Sequence, residues 1–460
     1  MRLLNRLVVG AVLAMTAAGC ANRAGRSVAL YEAGDFAGAA RAAEEGLATH
    51  PGDDGLWQMR IRAALAQGDA AAVAKAYAAY RSQRGDDDRE LLRDLAAATL
   101  GQALASPSAK LKISAIEAIH AAELEVLAEQ VAERMTDDDD RVAAAAAVAV
   151  LRSYPQAPQL ASDLLRSEDP EARRIAVDGI AKKVGKLAAA DLRKAATDAD
   201  PRVRRTAVRW LGMIKDTDAV TLLTRRMKDP DEAVRAAAAI SLSQIGIGNL
   251  AAFGTHALKD RGLAVRLAGI ELLEAARRTD LLVTLAETDP DPMVATEAAI
   301  AAKRPDLAGR ALERALADER WTIRAGAANL VVRAVGKEQG VAIARRLVTD
   351  KELGVRLAAA RVLSHAGDKA AAAQVFAEAL TTEDFAIQAA TDLAAQGDPR
   401  GLEALDAAVR DQQRGADVRA AAASAHRGAH RVTPGLVAAL ADPSGVVRVE
   451  AAAVLVMLAK

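Results

Sequence analysis

The 460-residue sequence predicts an all-α protein, an α-solenoid in which stacked helical hairpins form a superhelix. Three observations predict this fold class: a basic residue recurs at intervals of 29 to 32 positions, an Asp-Pro pair often precedes it, and small residues follow it. The basic residues of this series are Lys112, Arg173, Arg204, Arg235, Arg266, Arg324, Arg356, Arg419 and Arg448.

Three gaps in the series are filled by other residues, Ala143, Ala295 and Gln388. With them, equivalent positions run from 112 to 448, which corresponds to about twelve repeats over residues 101–460. Thirty residues hold two short helices and two turns, and neither helix can bury its apolar side without the next repeat. Stability is therefore expected to come from the interfaces between neighbouring repeats.

The segment from Met227 to Ile245 illustrates one repeat. Asp229 is expected to cap a helix, with Pro230 in its first turn, where no backbone N–H is needed. Val234, Ala238 and Leu242 then recur at four-residue spacing, which places them on one side of that helix and predicts that this side is buried. Asp169-Pro170, Asp200-Pro201, Asp289-Pro290 and Asp442-Pro443 repeat the pattern.

This pattern of Asp-Pro, an aliphatic-Arg pair and small residues resembles the HEAT-like repeat of the phycobilisome-lyase type. The resemblance implies a ladder of hydrogen bonds between the recurrent aspartates and arginines of adjacent repeats. Carried over to this chain, Asp200 with Arg204, or Asp229 with Arg235, would form rungs. The ladder is expected to lapse where the basic residue is missing, and the array to bend or loosen there.

The residues before the array show a different period. Gly34-Asp35-Phe36 and Gly68-Asp69-Ala70 lie one 34-residue interval apart, and Trp57 lies between them. This spacing resembles a pair of tetratricopeptide repeats, which we assign to residues 27–100. The sequence thus predicts one continuous α-solenoid with two styles of repeat.

The first twenty residues have the composition of an export signal. Arg2 and Arg6 precede an apolar stretch too short to span a bilayer, and small residues lead to Cys20. This resembles a bacterial lipoprotein signal, with residues 1–19 removed, Cys20 acylated and residues 20–26 forming a lipidated linker. Ala21 after the cysteine favours the outer membrane, with the protein facing the periplasm. The alternative is a plain secretory leader, and both readings export the chain.

Charge and composition exclude several kinds of function. The chain carries 61 basic and 61 acidic residues, which lacks the basic excess of a nucleic-acid binder. Its single cysteine excludes an internal disulfide. His426 and His430 have the spacing of two metal ligands on one helix, but no glutamate accompanies them as in a zinc protease, so we interpret them as surface histidines at a helix end.

The sequence offers no catalytic motif, cofactor motif, metal site or small-molecule site that we can assign. Iron-dependent hydroxylases built from HEAT-like repeats use His-Glu pairs, and this chain contains no adjacent His-Glu. Aromatic residues make up only 2% of the chain, so Trp57, Trp210 and Trp321 are candidate partner contacts, with packing as the alternative role. Trp210 is expected on the second helix of its repeat, and Trp321 in a turn.

These observations together predict a non-enzymatic, lipid-anchored envelope scaffold that binds protein partners along the solenoid surface. A bilin-lyase-like enzyme or cofactor-handling chaperone is one alternative, implied by the resemblance. A structural component of the envelope that assembles with copies of itself is another.

Overall fold

The computed structural model describes residues 24–151 and 163–460 of the chain. The predicted leader, residues 1–19, and Cys20 lie outside the described residues. The described residues form α-helices joined by short turns and single 3₁₀ turns, without a β-strand among them. In chain order the helices are α1 (Gly25–Glu32), α2 (Phe36–Thr49), α3 (Asp54–Ala66), α4 (Ala70–Arg84), α5 (Arg89–Leu104), α6 (Ala109–Ala122), α7 (Ala128–Glu133), α8 (Asp140–Val150), α9 (Pro170–Val184), α10 (Ala189–Ala195), α11 (Pro201–Met213), α12 (Val220–Arg226), α13 (Glu232–Ile245), α14 (Leu250–Ala257), α15 (Leu263–Ala275), α16 (Thr279–Thr288), α17 (Pro292–Ala301), α18 (Pro305–Leu316), α19 (Trp321–Val335), α20 (Lys337–Leu347), α21 (Leu353–Ala366), α22 (Lys369–Ala379), α23 (Ala386–Ala395), α24 (Pro399–Arg410), α25 (Ala416–Ala429), α26 (Pro434–Ala438) and α27 (Gly445–Leu458).

The described residues divide into two compact units. Unit 1 contains residues 24–131 and 380–460, and unit 2 contains residues 132–379. Unit 2 is a run of helical hairpins in the repeat arrangement that the sequence predicts for an α-solenoid. The predicted boundaries between leader, linker, amino-terminal repeats and array stay predictions.

Two layers of helices make up unit 2. One layer, which we call the inner layer, consists of α9, α11, α13, α15, α17, α19 and α21, and its members pack directly on one another. The alternating helices, the outer layer, pack mainly on the inner-layer helices beside them in sequence. Successive helices of the inner layer therefore pack on one another more extensively than successive helices of the outer layer do.

Aspartates start many of these helices, in two different registers. Asp169 and Asp200 cap α9 and α11 directly, with the following proline at the first helical position. At Asp229-Pro230 the prediction of the cap is wrong, because α13 begins at Glu232 and its cap is Asp231. The Asp229 carboxylate instead accepts the N–H of Asp231, at 3.1 Å, which closes a turn before the helix.

The same shift occurs at two more Asp-Pro pairs. Asp291 caps α17 after Asp289-Pro290, and Ser444 occupies the cap position of α27 after Asp442-Pro443. In both cases the Asp-Pro aspartate accepts an N–H two residues ahead in the turn. The shifted register leaves this carboxylate at the junction between repeats rather than at the start of a helix.

Small residues fill the inner layer, as the sequence predicts. Val234, Ala238 and Leu242 of α13 are fully buried, and so are the equivalent Val203, Ala207 and Leu211 of α11. Alanine at these positions buries little apolar area but allows neighbouring helix axes to approach closely.

The carboxyl-terminal helices pack on helices α4 to α6 within unit 1. Helix α27, near the end of the chain, packs against α5 and α6, and α26 packs against α4. Arg81 of α4 donates to the carbonyl oxygen of Val432 at 3.0 Å, and Lys460 Nζ donates to that of Ala121 at 3.2 Å. The apolar last helix is therefore covered by the amino-terminal part of the same chain.

No helix within residues 24–151 and 163–460 is both long and apolar enough to span a membrane.

Candidate functional site: the arginine ladder and the inner helix face

Arginines of the recurring series link neighbouring repeats through their loops. Arg204 of α11 donates two hydrogen bonds, at 2.9 and 2.7 Å, to the Asp229 carboxylate, which lies 25 residues later. Its remaining nitrogen, Nη1, donates to the carbonyl oxygen of Asp198 at 2.9 Å. Each such arginine therefore holds the loop before its own helix and the loop before the next inner helix at the same time.

The next rung begins at the residue where the first one ends. The carbonyl oxygen of Asp229 accepts from Arg235 Nη1 at 2.9 Å, and Arg235 in turn makes two hydrogen bonds to Asp260, at 2.7 and 2.9 Å. The expected rung between Asp229 and Arg235 is therefore present, but it is formed by the backbone carbonyl oxygen of Asp229 and not by its carboxylate. The expected rung between Asp200 and Arg204 is wrong in its pairing, because the Asp200 carboxylate caps α11 and binds Arg202 instead.

Three other arginines of the series make the same two-bond contact with an aspartate. The pairs are Arg173 with Asp198, Arg324 with Asp350 and Arg419 with Asp442. These pairs are shielded from water: the Arg419 side chain is 7% exposed and that of Asp442 is 2% exposed. Guanidinium and carboxylate groups match in this parallel geometry, so the loops are held in a defined position as well as attracted.

The remaining arginines of the series depart from this geometry. Arg266 makes one hydrogen bond, at 2.9 Å to Asp291, and Arg356 binds Glu378 in place of an aspartate. The buried Nε atoms of these two arginines have no hydrogen-bond partner within the part of the chain that the structure describes. Arg448 donates to the Asp442 carbonyl oxygen at 2.6 Å. Of the residues in the three gaps, Ala143 and Ala295 are buried, whereas Gln388 is exposed.

The ladder aspartates Asp229 and Asp442 are held in the charged form. Burial by itself raises the pKa of the Asp229 carboxyl, but the hydrogen bonds from Arg204 and the N–H of Asp231 outweigh burial and lower the pKa below its usual value. Asp442 follows the same balance, with burial opposed by Arg419, the N–H of Ser444 and Gln412. These carboxylates are structural anions rather than acids poised to exchange a proton.

The three tryptophans occupy different environments. Trp57 stacks on Tyr80 and donates to the carbonyl oxygen of Pro51 at 2.8 Å. Trp210 lies on α11, the same helix as Arg204 rather than the predicted second helix, and it donates to Asp178 at 2.7 Å. Trp321 begins α19 instead of lying in a turn, and its side chain is 42% exposed.

Trp321 belongs to a row of apolar residues at the beginnings of four inner helices. Leu263 of α15 is 37% exposed, whereas Met293 of α17 and Leu353 of α21 are half-buried. The Trp321 ring lies against Gly354, where an added Cβ would come within 2.5 Å of its Cζ3 atom. We call Leu263, Met293, Trp321 and Leu353 the apolar row.

His426 is not the surface histidine that the sequence suggests. It is fully buried in α25, with Nδ1 2.8 Å from the Ala422 carbonyl oxygen and Nε2 3.1 Å from the Thr433 hydroxyl oxygen. Burial lowers its pKa, which favours the neutral ring. His430 is exposed at the end of the helix in a left-handed conformation, so the two rings do not form a pair. No group of three or more potential metal ligands occurs among the described residues.

The fold and the ladder define a class of protein, one built from stacked helical repeats. Residues 157–243 match the family described as HEAT repeats. This match covers less than a fifth of the chain, although it includes α9 and α11 and most of α13, from which three ladder arginines project. None of the curated protein sequences matches the chain.

Several solved structures are similar to parts of this chain. The complex of CpcE and CpcF of phycocyanin lyase from Nostoc is 22% identical, with 54% of this chain and 94% of that chain covered and a TM-score of 0.29. Human deoxyhypusine hydroxylase is 20% identical, with coverage of 67% and 98% and a TM-score of 0.28. Kap95p bound to RanGDP is 12% identical, with coverage of 85% and 62% and a TM-score of 0.34. At these values the similarities carry no argument about function.

Proposed function

We propose that this protein is a non-enzymatic scaffold that binds protein partners across the inner face of unit 2, and that it is exported and anchored through a lipid on Cys20. The observation that carries the binding proposal is Trp321, whose ring is exposed on the inner layer within the apolar row. Tryptophan is over-represented among the residues that dominate protein interfaces, and the exposed part of this ring is otherwise solvated.

A comparison with the other two tryptophans supports this choice. The indole N–H groups of Trp57 and Trp210 are already bound to a carbonyl oxygen and a carboxylate of the same chain. The indole N–H of Trp321 makes no hydrogen bond to a described residue. The N–H of Trp321 is therefore available to an acceptor on a partner that covers the ring, whereas those of Trp57 and Trp210 are used within the fold.

The ladder supports the same function in a different way. The two-bond pair of Arg324 with Asp350 fixes α19 relative to α21. A partner that contacts Trp321 of α19 and Leu353 of α21 therefore meets side chains that are already positioned. Binding to a preformed surface avoids part of the cost of ordering loops on association.

The binding proposal is tested by site-specific photo-crosslinking in the native cells. A photoreactive residue replaces Thr322, which is exposed beside Trp321, and in a second variant it replaces Leu187, which is 85% exposed between α9 and α10. We expect one or two defined protein adducts from position 322 and none of these from position 187. The same adducts should be lost in a Trp321→Ala background and kept in a Leu187→Ala background.

Three results would speak against this proposal. Equal adducts from both positions would indicate nonspecific contact. An adduct with a second copy of this chain would favour the self-assembling alternative. A visible chromophore that copurifies with the chain would favour the bilin-lyase-like alternative.

The anchoring proposal rests on the sequence of residues 1–20 and has its own test. A Cys20→Ser variant should move from the membrane fraction to the soluble fraction of the envelope while its thermal unfolding stays unchanged. Membrane attachment that persists in this variant would contradict acylation at Cys20 as the anchor. The crosslinking result does not depend on this outcome.

A further inference from the structure

The regular run of rungs that begins at Arg173 is interrupted after Asp260 in unit 2. From Arg173 to Asp260, each rung joins the next through the same aspartate. The series resumes at Asp318, whose carbonyl oxygen accepts from Arg324 at 2.9 Å. Between these two runs, Arg266 of α15 makes a single bond to Asp291, and position 295 of α17 carries alanine.

The aspartate that would receive a rung from position 295 is present but engaged elsewhere. Asp318 stands in the loop before α19, in the position that Asp229 and Asp260 occupy before α13 and α15. Its carboxylate binds Arg320 of its own loop through two hydrogen bonds, at 2.9 and 2.8 Å. No arginine from α17 therefore links this loop to the preceding repeat.

The packing of the helices changes at the same place. Inner helix α17 contacts α15 and α19 less extensively than α13 contacts α11 and α15. In the outer layer the opposite holds, because α16 and α18 approach each other more closely than any other successive outer pair within the described part of unit 2. The array is thus more open on its inner side at this position.

The buried apolar residues of unit 2 form two clusters that separate within α15, at the start of this segment. One cluster extends into α15 through Val265, Ala268 and Leu272, whereas a second begins in α15 with Ile270 and Leu273 and continues to α20. An array held together by nearest-neighbour interfaces yields first where an interface is weakest.

We infer that α15, α17 and α19 form a flexible joint between two stiff ladder segments of unit 2, and that the missing rung at Ala295 is its cause. Bending at this joint changes the spacing of Leu263, Met293 and Trp321, which lie one on each of its three helices. The inference concerns the chain itself and holds whether or not the partner-binding proposal is correct.

The joint is tested by measuring distance distributions between spin labels in the full-length chain with Cys20→Ser, so that the introduced cysteines are the only thiols. One label pair, at positions 256 and 310, connects outer helices α14 and α18 across the joint. The matched pair, at positions 194 and 256, connects α10 and α14, which are also separated by two hairpins. His256, Lys194 and Arg310 are all exposed.

We expect a broader distribution for the pair across the joint than for the matched pair. Backbone amides of α17 should also exchange with solvent faster than those of α13, because a weaker interface opens more often. Equal widths and equal exchange rates would overturn the inference.

Two substitutions connect the joint to the ladder. Ala295→Arg restores the missing donor opposite Asp318 and should narrow the distribution across the joint. Because Ala295 is fully buried, this variant could fail to fold, so Arg204→Ala provides the converse test. Removing that rung should broaden the distribution of the matched pair, and an unchanged width would show that the ladder does not set the stiffness.

Discussion

The repeat array and the amino-terminal helices bury aspartates in helix-entry loops in two different ways. In the array, Asp442 receives two hydrogen bonds from the Arg419 guanidinium, both at 2.9 Å. Before α5, Asp88 receives its side-chain hydrogen bonds from neutral groups, the Tyr80 hydroxyl at 2.7 Å and the Gln58 amide at 2.9 Å. The nearest guanidinium, that of Arg84, is 4.0 Å away.

Both aspartates nevertheless keep a lowered pKa. Burial opposes ionisation in each case, and hydrogen bonds to the charged form outweigh it: from the N–H of Leu91, Tyr80 and Gln58 at Asp88, and from Arg419 at Asp442. The difference lies in what remains after one partner is lost. Asp88 retains several neutral donors, whereas Asp442 loses the positive charge that balances it.

The largest expected effect comes from removing that positive charge. Arg419→Ala leaves the Asp442 carboxylate, 2% exposed, without its counterion. Breaking a buried ion pair from one side typically costs about 3 to 5 kcal/mol in the free energy of unfolding. Chemical denaturation should show this loss, and Arg419→Lys, which keeps the charge but not the two parallel bonds, should lose less. An unchanged unfolding midpoint in Arg419→Ala would contradict the view that this pair is shielded from water.

A smaller loss is expected at Asp88. Tyr80→Phe removes one hydrogen bond to the carboxylate but leaves the ring stacked on Trp57 and the other donors in place. Deleting one hydrogen bond to a charged group costs about 1.5 to 3 kcal/mol, and the remaining donors should hold the loss at the low end. Thermal unfolding of Tyr80→Phe and Arg419→Ala side by side measures the difference. A larger loss in Tyr80→Phe would reverse the comparison.

Much of the fold could be predicted from the sequence, but the aspartate that each ladder arginine binds could not. The thirty-residue period and the apolar spacing in α13 predict helical hairpins because both express the geometry of a helix directly. Asp200 and Arg204 are four residues apart and suggest a local pair, yet the real partner of Arg204 is Asp229, across a hairpin. The register of the loop decides this pairing, and Asp-Pro occurs in both registers.

The packing of α27 on α5 and α6 was equally invisible in the sequence, because no repeat pattern links residues so far apart along the chain. Gly445 allows α27 to approach α6 closely, because an added Cβ at this position would lie 2.5 Å from the Leu111 side chain of α6. Likewise, the sequence places His426 at the surface, because it does not show that the segment after α25 folds back and brings the Thr433 hydroxyl into contact with the ring.

His426 extends the comparison to a buried titratable group that is itself uncharged and that contacts only uncharged groups, a carbonyl oxygen and a hydroxyl. Its pKa is lowered by burial, so the unfolded chain binds a proton at higher pH than the folded chain. The stability that this residue contributes is therefore complete above its unfolded pKa of about 6.5 and is lost as the pH falls from there through the folded pKa.

We expect the unfolding midpoint to fall on acidification from pH 7 to 5, and to fall less in His426→Gln. The ladder carboxylates Asp229 and Asp442 do not account for this window, because their pKa values are lowered and their contribution is lost only as the pH falls below the unfolded value of about 3.9. Identical pH profiles for the two proteins would contradict burial of a neutral ring.

The smallest effect is expected from an ion pair that closely resembles a ladder rung in its bonding. Arg278 makes two hydrogen bonds to Asp280, one of them at 2.8 Å, but the two side chains are 42% and 63% exposed and lie two residues apart at the start of α16. The Asp280 pKa is lowered to about 2 by these bonds, yet both charges are already well solvated. Arg278→Ala should therefore leave the denaturation midpoint unchanged within error, because neither group becomes a buried, unpaired charge.

A loss comparable to that of Arg419→Ala would mean that bonding geometry alone determines the strength of these pairs. The expected result assigns the difference to burial and to the connection between two repeats, which Arg278 and Asp280 do not provide.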